Sequence, residues 1–219
     1  MPTRRTAEAA PRIVGAPVPL FAPNDGDVHV FIIGEAPGPR GADKSGIPFW
    51  GDAAGRHLYT ALASMGAVTL PAEVPQLSWD GADFHARGLR PMPHGVALGN
   101  AFDRCPTDDG MRFRAPTRGE LEGAPNMSRL AADITALRRR GLRGVVTLGR
   151  VAARTLGAVA RTGALEGITA HALVHPSAQG LLSMAPDRGR GARMVELQAQ
   201  WMARCCQAVR DAGYPGEIP

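Results

Sequence analysis

The sequence predicts an α/β protein with three layers, in which helices cover both faces of a central, mainly parallel sheet of four strands. Two observations lead to this prediction. Short apolar segments, each followed closely by glycine, asparagine or histidine, have the composition of buried strands. Segments with helical spacing lie between them, and strands that alternate with helices form parallel sheets. The strand candidates are residues 28–33, 95–98, 144–148 and 171–174.

The predicted helices have recognisable beginnings. Small and apolar residues recur at helical spacing after Gly51, and Asp52 is the expected N-cap of that helix. Thr117 and Glu120 have the spacing of a capping box, in which each side chain bonds the backbone amide of the other residue. The predicted helices cover residues 51–65, 117–140 with a pause at 123–125, 150–156 and 191–212.

Two segments do not follow this alternation. Residues 1–27 are rich in proline and alanine, so we predict a partly flexible N-terminal arm. Residues 66–93 contain four prolines and no clear period, which predicts a long loop, and such a loop in a compact domain is often functional. The chain of 219 residues is long enough for one substantial domain, placed at residues 28–219, and short for two.

The charge balance is compatible with a nucleic-acid partner. Lysine and arginine total 25 against 20 acidic residues, which gives a net charge of +5, and Lys44 is the single lysine. The planar fork of arginine suits phosphates and base edges. A GC-rich genome would produce the same arginine excess, so composition leaves both explanations open.

The cysteines and the hydropathy pattern predict a soluble cytoplasmic protein. Three cysteines, two of them adjacent at Cys205 and Cys206, form neither a disulfide framework nor a spaced metal motif, so we expect no metal. The sequence has no signal-peptide core and no apolar segment of the roughly 20 residues that a membrane span needs. We therefore expect no membrane partner, and a monomer.

Polar residues follow three of the predicted strands. Glu35, Asn100 and His175 come after the first, second and fourth strands, and the carboxyl ends of parallel strands meet at one edge, where α/β sheets bind ligands. Asn100 alone would be read as a turn residue, and His175 as a structural histidine. Together with the ring of Phe49 they favour a pocket for a pyrimidine, because an amide reads its edge and an aromatic ring stacks on its face.

The motifs around these residues resemble those of a known family. Gly-Glu-Ala-Pro-Gly at 34–38, Ser-Gly-Ile-Pro-Phe-Trp-Gly-Asp-Ala-Ala-Gly at 45–55, Asn100, and His-Pro-Ser-Ala-Gln-Gly-Leu at 175–181 are similar, in this order, to the signature motifs of the uracil-DNA glycosylase superfamily. The resemblance implies the fold of that family. It also implies a monofunctional glycosylase that flips deoxyuridine out of nucleoid DNA in a bacterial-type cell. Hydrolysis of the N-glycosidic bond would leave an abasic site for base excision repair.

The resemblance assigns two catalytic roles. Glu35 would position or deprotonate the water that attacks the sugar, which becomes cationic in the transition state. His175 would donate to the uracil oxygen beside the glycosidic nitrogen as negative charge develops there. Many relatives carry a polar residue where this chain has Ala36, so Asp43 and Asp52 are alternative water-handling groups.

The resemblance also implies the substrate pocket. Phe49 would stack on the extruded uracil, and Asn100 would hydrogen-bond its amide edge. Backbone groups of Gly34 and Ala36 would complete the pocket. The neighbouring Trp50 fits the pocket rim and the core equally well.

DNA contacts are expected around this pocket. The resemblance points to a loop at 179–182 that enters the duplex, with Leu181 and Leu182 as the apolar bulk of its wedge. The alternative is that these leucines pack under the loop. Helix N-terminal amides near Arg150 attract phosphates, and hydroxyl and amine groups bond them. The expected DNA-binding residues are Lys44, Ser45, Arg150, Ser177, Gln179 and Leu181.

One branch of the family binds an iron-sulfur cluster through four cysteines, and this chain keeps only Cys105 at a matching position. We therefore expect no cofactor. Three alternatives to a uracil-DNA glycosylase remain open: a non-catalytic binder of damaged or single-stranded DNA, a glycosylase for other deaminated bases, and an α/β enzyme acting on free nucleosides or nucleotides.

Overall fold

The computed structural model describes residues 13–216, apart from the side chains of residues 187 and 188. The predicted flexible arm at 1–27 lies in part, at residues 1–12, outside the described residues. The strands are β1 (Ile13–Val14), β2 (Val28–Gly34), β3 (Val68–Thr69), β4 (Met92–Pro93), β5 (Gly95–Asn100), β6 (Pro106–Thr107), β7 (Gly144–Leu148) and β8 (Thr169–Leu173). The α-helices are α1 (Ala42–Ser45), α2 (Ala53–Ser64), α3 (Gly81–Ala86), α4 (Arg118–Glu122), α5 (Ala124–Arg138), α6 (Arg150–Ala160), α7 (Ala178–Leu182) and α8 (Met194–Asp211).

A parallel sheet of four strands in the order β5-β2-β7-β8 forms the centre of the fold. Each of these strands lies at a predicted position, so the α/β fold class is confirmed. Every residue of β2 is buried. Its side chains alternate between two cores, with Val30 and Ile32 on one face of the sheet and Phe31 and Ile33 on the other. Burial on both faces explains why β2 reads as a continuous apolar run.

Helices cover both faces and complete the three layers. Helices α2 and α8 pack on one face, and α8 buries the stripe Leu197, Trp201 and Cys205, whose spacing of four residues is helical. The Trp201 indole also donates to the carbonyl oxygen of Val174 at 2.9 Å, which ties the helix to the chain just beyond β8. Helices α5 and α6 pack on the opposite face. No helix in the described part of the chain is long and apolar enough to cross a membrane.

The segment at 66–93 is ordered structure, so the prediction of a long loop is wrong. Its antiparallel pair β3-β4, a short 3-10 turn and helix α3 enclose a cluster of aromatic rings. The ring of Trp50 lies 4.8 Å from that of Tyr59, 5.0 Å from that of Trp79 and 4.7 Å from that of Phe84. Trp50 is fully buried, which decides its role in favour of the core.

The described part of the predicted arm runs along the edge of the sheet. Phe21 exchanges two backbone hydrogen bonds with Leu98 of β5, at 2.9 and 2.7 Å. Nearer the N-terminus of the arm, the Val18 amide donates to the Asp103 carbonyl oxygen at 2.7 Å, and the Gly15 amide donates to the Cys105 carbonyl oxygen at 3.0 Å. These bonds occupy backbone groups that an edge strand would otherwise leave open. The division at residue 28 stays a prediction.

The helix boundaries depend on local chemistry. The capping box at α4 is confirmed, because the Glu120 amide donates to the Thr117 hydroxyl at 3.2 Å and the Thr117 amide donates to the Glu120 carboxylate at 2.6 Å. The predicted pause is Gly123, which ends α4 and precedes α5. Asp52 stands at the N-cap position of α2, but its side chain makes no capping bond, so that part of the prediction is wrong.

Replacing Thr117 with alanine should destabilise the protein, because the amide of Glu120 loses its acceptor. A lost cap costs about 1 kcal/mol, which for a chain of this size lowers Tm by about 2–4 °C. Thermal unfolding followed by circular dichroism measures the shift. Thr117→Ser keeps the hydroxyl and is the control. Equal Tm values for the alanine variant and the parent would contradict the capping role.

Candidate active site

The carboxyl edge of the sheet gathers the residues that follow the strands. Gly34, the last residue of β2, pairs with Asn100, the last residue of β5, in the parallel register. On the other side of β2, the amide of Gly149 after β7 donates to the Leu173 carbonyl oxygen of β8 at 2.8 Å. A Cβ atom on Gly149 would lie 3.3 Å from that of His175. The chain after β2, β5, β7 and β8 thus meets at one edge, where α/β sheets bind ligands.

Because Gly34 has no side chain, the side chains of two predicted pocket residues, Phe49 and Asn100, can both pack against it. A side chain at this position would begin 2.6 Å from the Phe49 ring and 3.1 Å from the Asn100 carbonyl oxygen Oδ1. Both contacts are closer than real Cβ atoms are commonly found, so glycine is required here. The aromatic ring and the amide therefore both pack against the backbone of the first motif.

Phe49 has an unusual backbone conformation. Its φ of 63° is in the left-handed region, which no other non-glycine residue of the described chain adopts. Such a conformation costs of order 1–3 kcal/mol and persists only where neighbours enforce it. The Ser45 hydroxyl donates to the Trp50 carbonyl oxygen at 2.7 Å, and the Tyr59 hydroxyl donates to that of Pro48 at 2.9 Å. These bonds hold the carbonyl groups of the residues immediately before and after Phe49.

The side-chain amide of Asn100 is buried with an unused donor. Asn100 is 3 % exposed, and its Nδ2 has no hydrogen-bond partner among the described residues. Its backbone is held from behind, because Nη2 of Arg129 donates to the Asn100 carbonyl oxygen at 3.0 Å. An unpaired buried donor costs about 1–3 kcal/mol. A ligand that presents an acceptor oxygen beside Phe49 would remove this cost.

The imidazole of His175 lies in a setting that disfavours its charged form. Burial lowers the pKa of His175 below its ordinary value, because desolvation disfavours the charged form. Two glycines pack closely against His175. A Cβ atom on Gly149 would contact the His175 side chain, and a Cβ atom on Gly180 would lie 1.9 Å from the His175 carbonyl oxygen. A neutral imidazole carries one N–H donor and one acceptor, so His175 can donate one hydrogen bond without bringing a full charge.

Glu35, just beyond the end of β2, carries a half-buried carboxylate. Burial raises its pKa above the ordinary value, and the positive charge of Arg154 opposes the rise. No described side chain hydrogen-bonds its carboxylate, while its carbonyl oxygen accepts from the Phe102 amide at 2.9 Å. Ala36, which follows, packs against the core on the α5 side of the sheet. Glu35 is therefore a carboxylate that solvent or a ligand can reach.

The two alternative acids are already engaged. The carboxylate of Asp43 pairs with the ammonium of Lys44 at 2.9 Å. The carboxylate of Asp52 accepts backbone amides, including that of Ala42 at 3.3 Å. Glu35 is thus the acid of the first motif with its oxygens unoccupied.

Two of the residues expected to contact DNA are buried, and these predictions are wrong. Ser45 is 5 % exposed and uses its hydroxyl to hold the Trp50 carbonyl oxygen. Leu181 is 1 % exposed and belongs to the core on the α8 side of the sheet. It lies on the inward side of the short helix α7, so the alternative that this leucine packs under its loop is correct.

The other expected DNA contacts lie at the surface or at its margin. Lys44, Arg150 and Gln179 are exposed, and Arg150 is the first residue of α6. The Ser177 hydroxyl accepts the Gly180 amide at 3.3 Å and so caps α7, which keeps its own proton available for another acceptor. These four residues remain predicted DNA contacts.

Sequence reasoning missed two arginines. Arg154 is exposed one helical turn after Arg150 on α6, and the spacing of four residues could have shown that both share a face. Arg129 is on α5 and bonds the carbonyl oxygens of Asn100 and Ala101 at 3.0 and 3.1 Å. No sequence signal marks Arg129, because the contact joins residues that are far apart in the chain.

The cysteines do not fit an iron-sulfur cluster. Cys105 is buried beside Asp43 and Asp52, and burial together with these charges raises the pKa of its thiol to about 11. Cys205 and Cys206 are on α8, where burial raises the pKa of Cys205 and the thiol of Cys206 contacts the Ala61 carbonyl oxygen at 3.4 Å. The described residues contain no group of three or more His, Cys, Asp or Glu side chains that could hold a metal ion.

Comparison with known proteins identifies related chains. The family model of the uracil DNA glycosylase superfamily matches residues 22–190. The Type-5 uracil-DNA glycosylase of Thermus thermophilus is 39 % identical over 59 residues, which are 27 % of this chain and 26 % of that protein. The match thus spans about a quarter of this curated relative. The crystal structure of wild-type SMUG2 from Pedobacter heparinus aligns with a TM-score of 0.49 at 14 % identity, covering 86 % of this chain and 78 % of that one.

Replacing Arg154 with glutamine should raise the pKa of Glu35 further, because the one charge that opposes the effect of burial is removed. A pH titration of the carboxyl ¹³C resonance of Glu35 measures the change. The difference should narrow as salt is added, because Arg154 is exposed. Arg150→Gln on the same helix is the control. An unchanged or lower pKa in the Arg154 variant would contradict this electrostatic coupling.

Proposed function

Because the chain belongs to the uracil DNA glycosylase superfamily, we propose that it is a monofunctional uracil-DNA glycosylase. It would flip deoxyuridine out of nucleoid DNA and hydrolyse the bond between uracil and deoxyribose, leaving an abasic site for base excision repair. The observation that carries the proposal is that the Phe49 ring and the Asn100 side chain both lie against Gly34, with the Asn100 amide buried and unpaired. The family motifs thus converge on a site with an unused buried donor.

The pocket chemistry fits a uracil ring. Uracil presents a carbonyl oxygen beside an N–H group on one edge, and the Asn100 side chain offers the complementary N–H donor and carbonyl acceptor. The Phe49 ring supplies a stacking face, and its restrained backbone keeps that face in place before the base arrives. Gly34 and Ala36 would bring their backbone groups against the remaining edge of the base.

Bond cleavage would leave its electron pair on the uracil ring. The neutral N–H of His175 would donate to the carbonyl oxygen beside the glycosidic nitrogen, where this negative charge develops. Removing a comparable donor from other enzymes costs about 2.7–4 kcal/mol of transition-state stabilisation. Because burial disfavours the charged imidazole, His175 would donate this hydrogen bond as a neutral group.

Glu35 would position and deprotonate the attacking water. The oxygen of the water forms a bond to the sugar carbon as the glycosidic bond breaks, and its proton passes to the carboxylate. The raised pKa of Glu35 suits a proton acceptor, and its charge would stabilise the cationic sugar. A Schiff-base mechanism would need an amine, and the single lysine of the chain, Lys44, is paired with Asp43. Hydrolysis without strand cleavage is therefore the proposed reaction.

DNA would approach over the carboxyl edge of the sheet. Lys44, Arg150 and Arg154 would neutralise phosphates, and Ser177 would add a hydroxyl donor. Gln179 is exposed on α7 and would stand beside the space that the flipped nucleotide leaves. Affinity for DNA should accordingly fall as salt concentration rises.

Glu35→Gln should lower the rate of uracil release by roughly 10²- to 10⁴-fold, the range typical of a lost general base. The assay uses single- and double-stranded oligonucleotides with one uracil, and alkali then cleaves the abasic sites. Oligonucleotides with hypoxanthine or mismatched thymine report base specificity in parallel. Glu166→Gln, which changes an exposed glutamate elsewhere on the surface, is the matched control and should retain the parental rate.

Three outcomes would overturn parts of the proposal. No base release from any of these substrates would exclude the enzyme and leave a binding function, whereas release of hypoxanthine or thymine without uracil would exclude uracil as the substrate. Full release by the Glu35→Gln variant would retain the enzyme and exclude Glu35 as the water-handling group.

A further inference from the structure

The carboxylate of Asp52 is enclosed by the segment that follows the Glu35 turn. The backbone amide of Ala42 donates to it at 3.3 Å, and the amides of Gly38 and Gly41 lie close enough to favour its charged form. The main chain of residues 38–42 therefore surrounds this one side chain. A carboxylate accepts such a set well, because its two oxygens offer about four lone-pair sites.

The close approach of the Asp52 carboxylate accounts for glycine at positions 38 and 41. A Cβ atom on Gly38 or Gly41 would lie 2.3 Å from Oδ1 of Asp52. On its other side, Gly41 lies against Gly81 at the start of α3, where an added Cβ would come within 2.1 Å of the Gly41 carbonyl oxygen. The backbone at Gly38 and Gly41 approaches Asp52 so closely that no side chain fits between them.

Asp52 also contacts the second part of the pocket. Its own amide donates to the Phe49 carbonyl oxygen at 3.3 Å. Since its side chain does not cap α2, its carboxylate is committed to the 38–42 segment. One residue thus connects the main chain after Glu35 with the main chain that carries the aromatic ring.

We propose that Asp52 is a positioning residue that sets the Glu35 turn and the Phe49 ring in their relative places through backbone hydrogen bonds. It need not touch the substrate. This inference rests on the proposed function where it concerns catalysis, but the contacts themselves can be tested without any enzymatic activity.

Two substitutions separate positioning from a chemical role. Asp52→Ala removes both acceptor oxygens. Asp52→Asn keeps the shape and one acceptor oxygen, although its amide group cannot accept a proton from water. Positioning therefore predicts an intermediate phenotype for asparagine, whereas a water-handling role predicts that asparagine and alanine fail equally. Asp83→Asn is the matched control, because the Asp83 carboxylate lies outside this segment and pairs with Arg87 at 2.8 Å.

Amide hydrogen exchange gives the readout that does not depend on activity. In Asp52→Ala the amides of Gly38, Gly41 and Ala42 should exchange faster than in the parent, and in Asp52→Asn they should change less. The Asp83 variant should leave them unchanged. Unchanged exchange at all three amides in folded Asp52→Ala or Asp52→Asn protein would overturn the proposal.

Single-turnover uracil release and DNA affinity give the functional readout. Displacement of a catalytic group by about 1 Å can cost on the order of 10²-fold in rate, so Asp52→Ala should lose about this factor, with a smaller loss for asparagine. Affinity for an oligonucleotide that contains an abasic site should stay at the parental value. Equal rates in parent and Asp52→Ala, or equal losses in both variants, would overturn the positioning role. An inactive parent would instead refute the proposed function, and the exchange result would still stand.

Discussion

The parallel pairing of β2 with β5 is the interaction on which the candidate site depends. It aligns the last residues of the two strands, Gly34 and Asn100, and thereby brings two distant motifs into contact. The missing side chain of Gly34 then admits the Phe49 ring from a third segment. Because β2 is buried on both faces, a slip of one residue would exchange its side chains between the two cores, so core packing maintains the register at the site.

Several energetically unfavourable features lie at this edge of the sheet. Phe49 is in the left-handed region, the Asn100 donor is unpaired, and Glu35 is a carboxylate with a raised pKa. Each feature is unfavourable in the free protein, and each involves a group that the proposed reaction uses. Such strain persists where the surrounding structure enforces it. Here the enforcing contacts are the hydroxyls of Ser45 and Tyr59 on the chain flanking Phe49.

Features of the structure that depend on local sequence patterns could be predicted from the sequence. The strands, the capping box of α4 and the common edge of Glu35, Asn100 and His175 follow from periodicity and strand order. The wrong predictions concern long-range contacts. Ser45 and Leu181 are in short helices, whose buried side depends on tertiary packing, and 66–93 folds around aromatic partners elsewhere in the chain. The N-cap pattern at Asp52 likewise does not reveal that its carboxylate faces another segment.

The central claim is that the unpaired amide of Asn100 and the ring of Phe49 form the base pocket. A crystal structure with DNA containing a cleavage-resistant, 2′-fluorinated deoxyuridine tests this most directly. The account predicts a flipped uracil stacked on Phe49, with Nδ2 of Asn100 within hydrogen-bond distance of a uracil oxygen. A complex with the uracil bound elsewhere, or with the Asn100 amide still unpaired beneath it, would contradict the account.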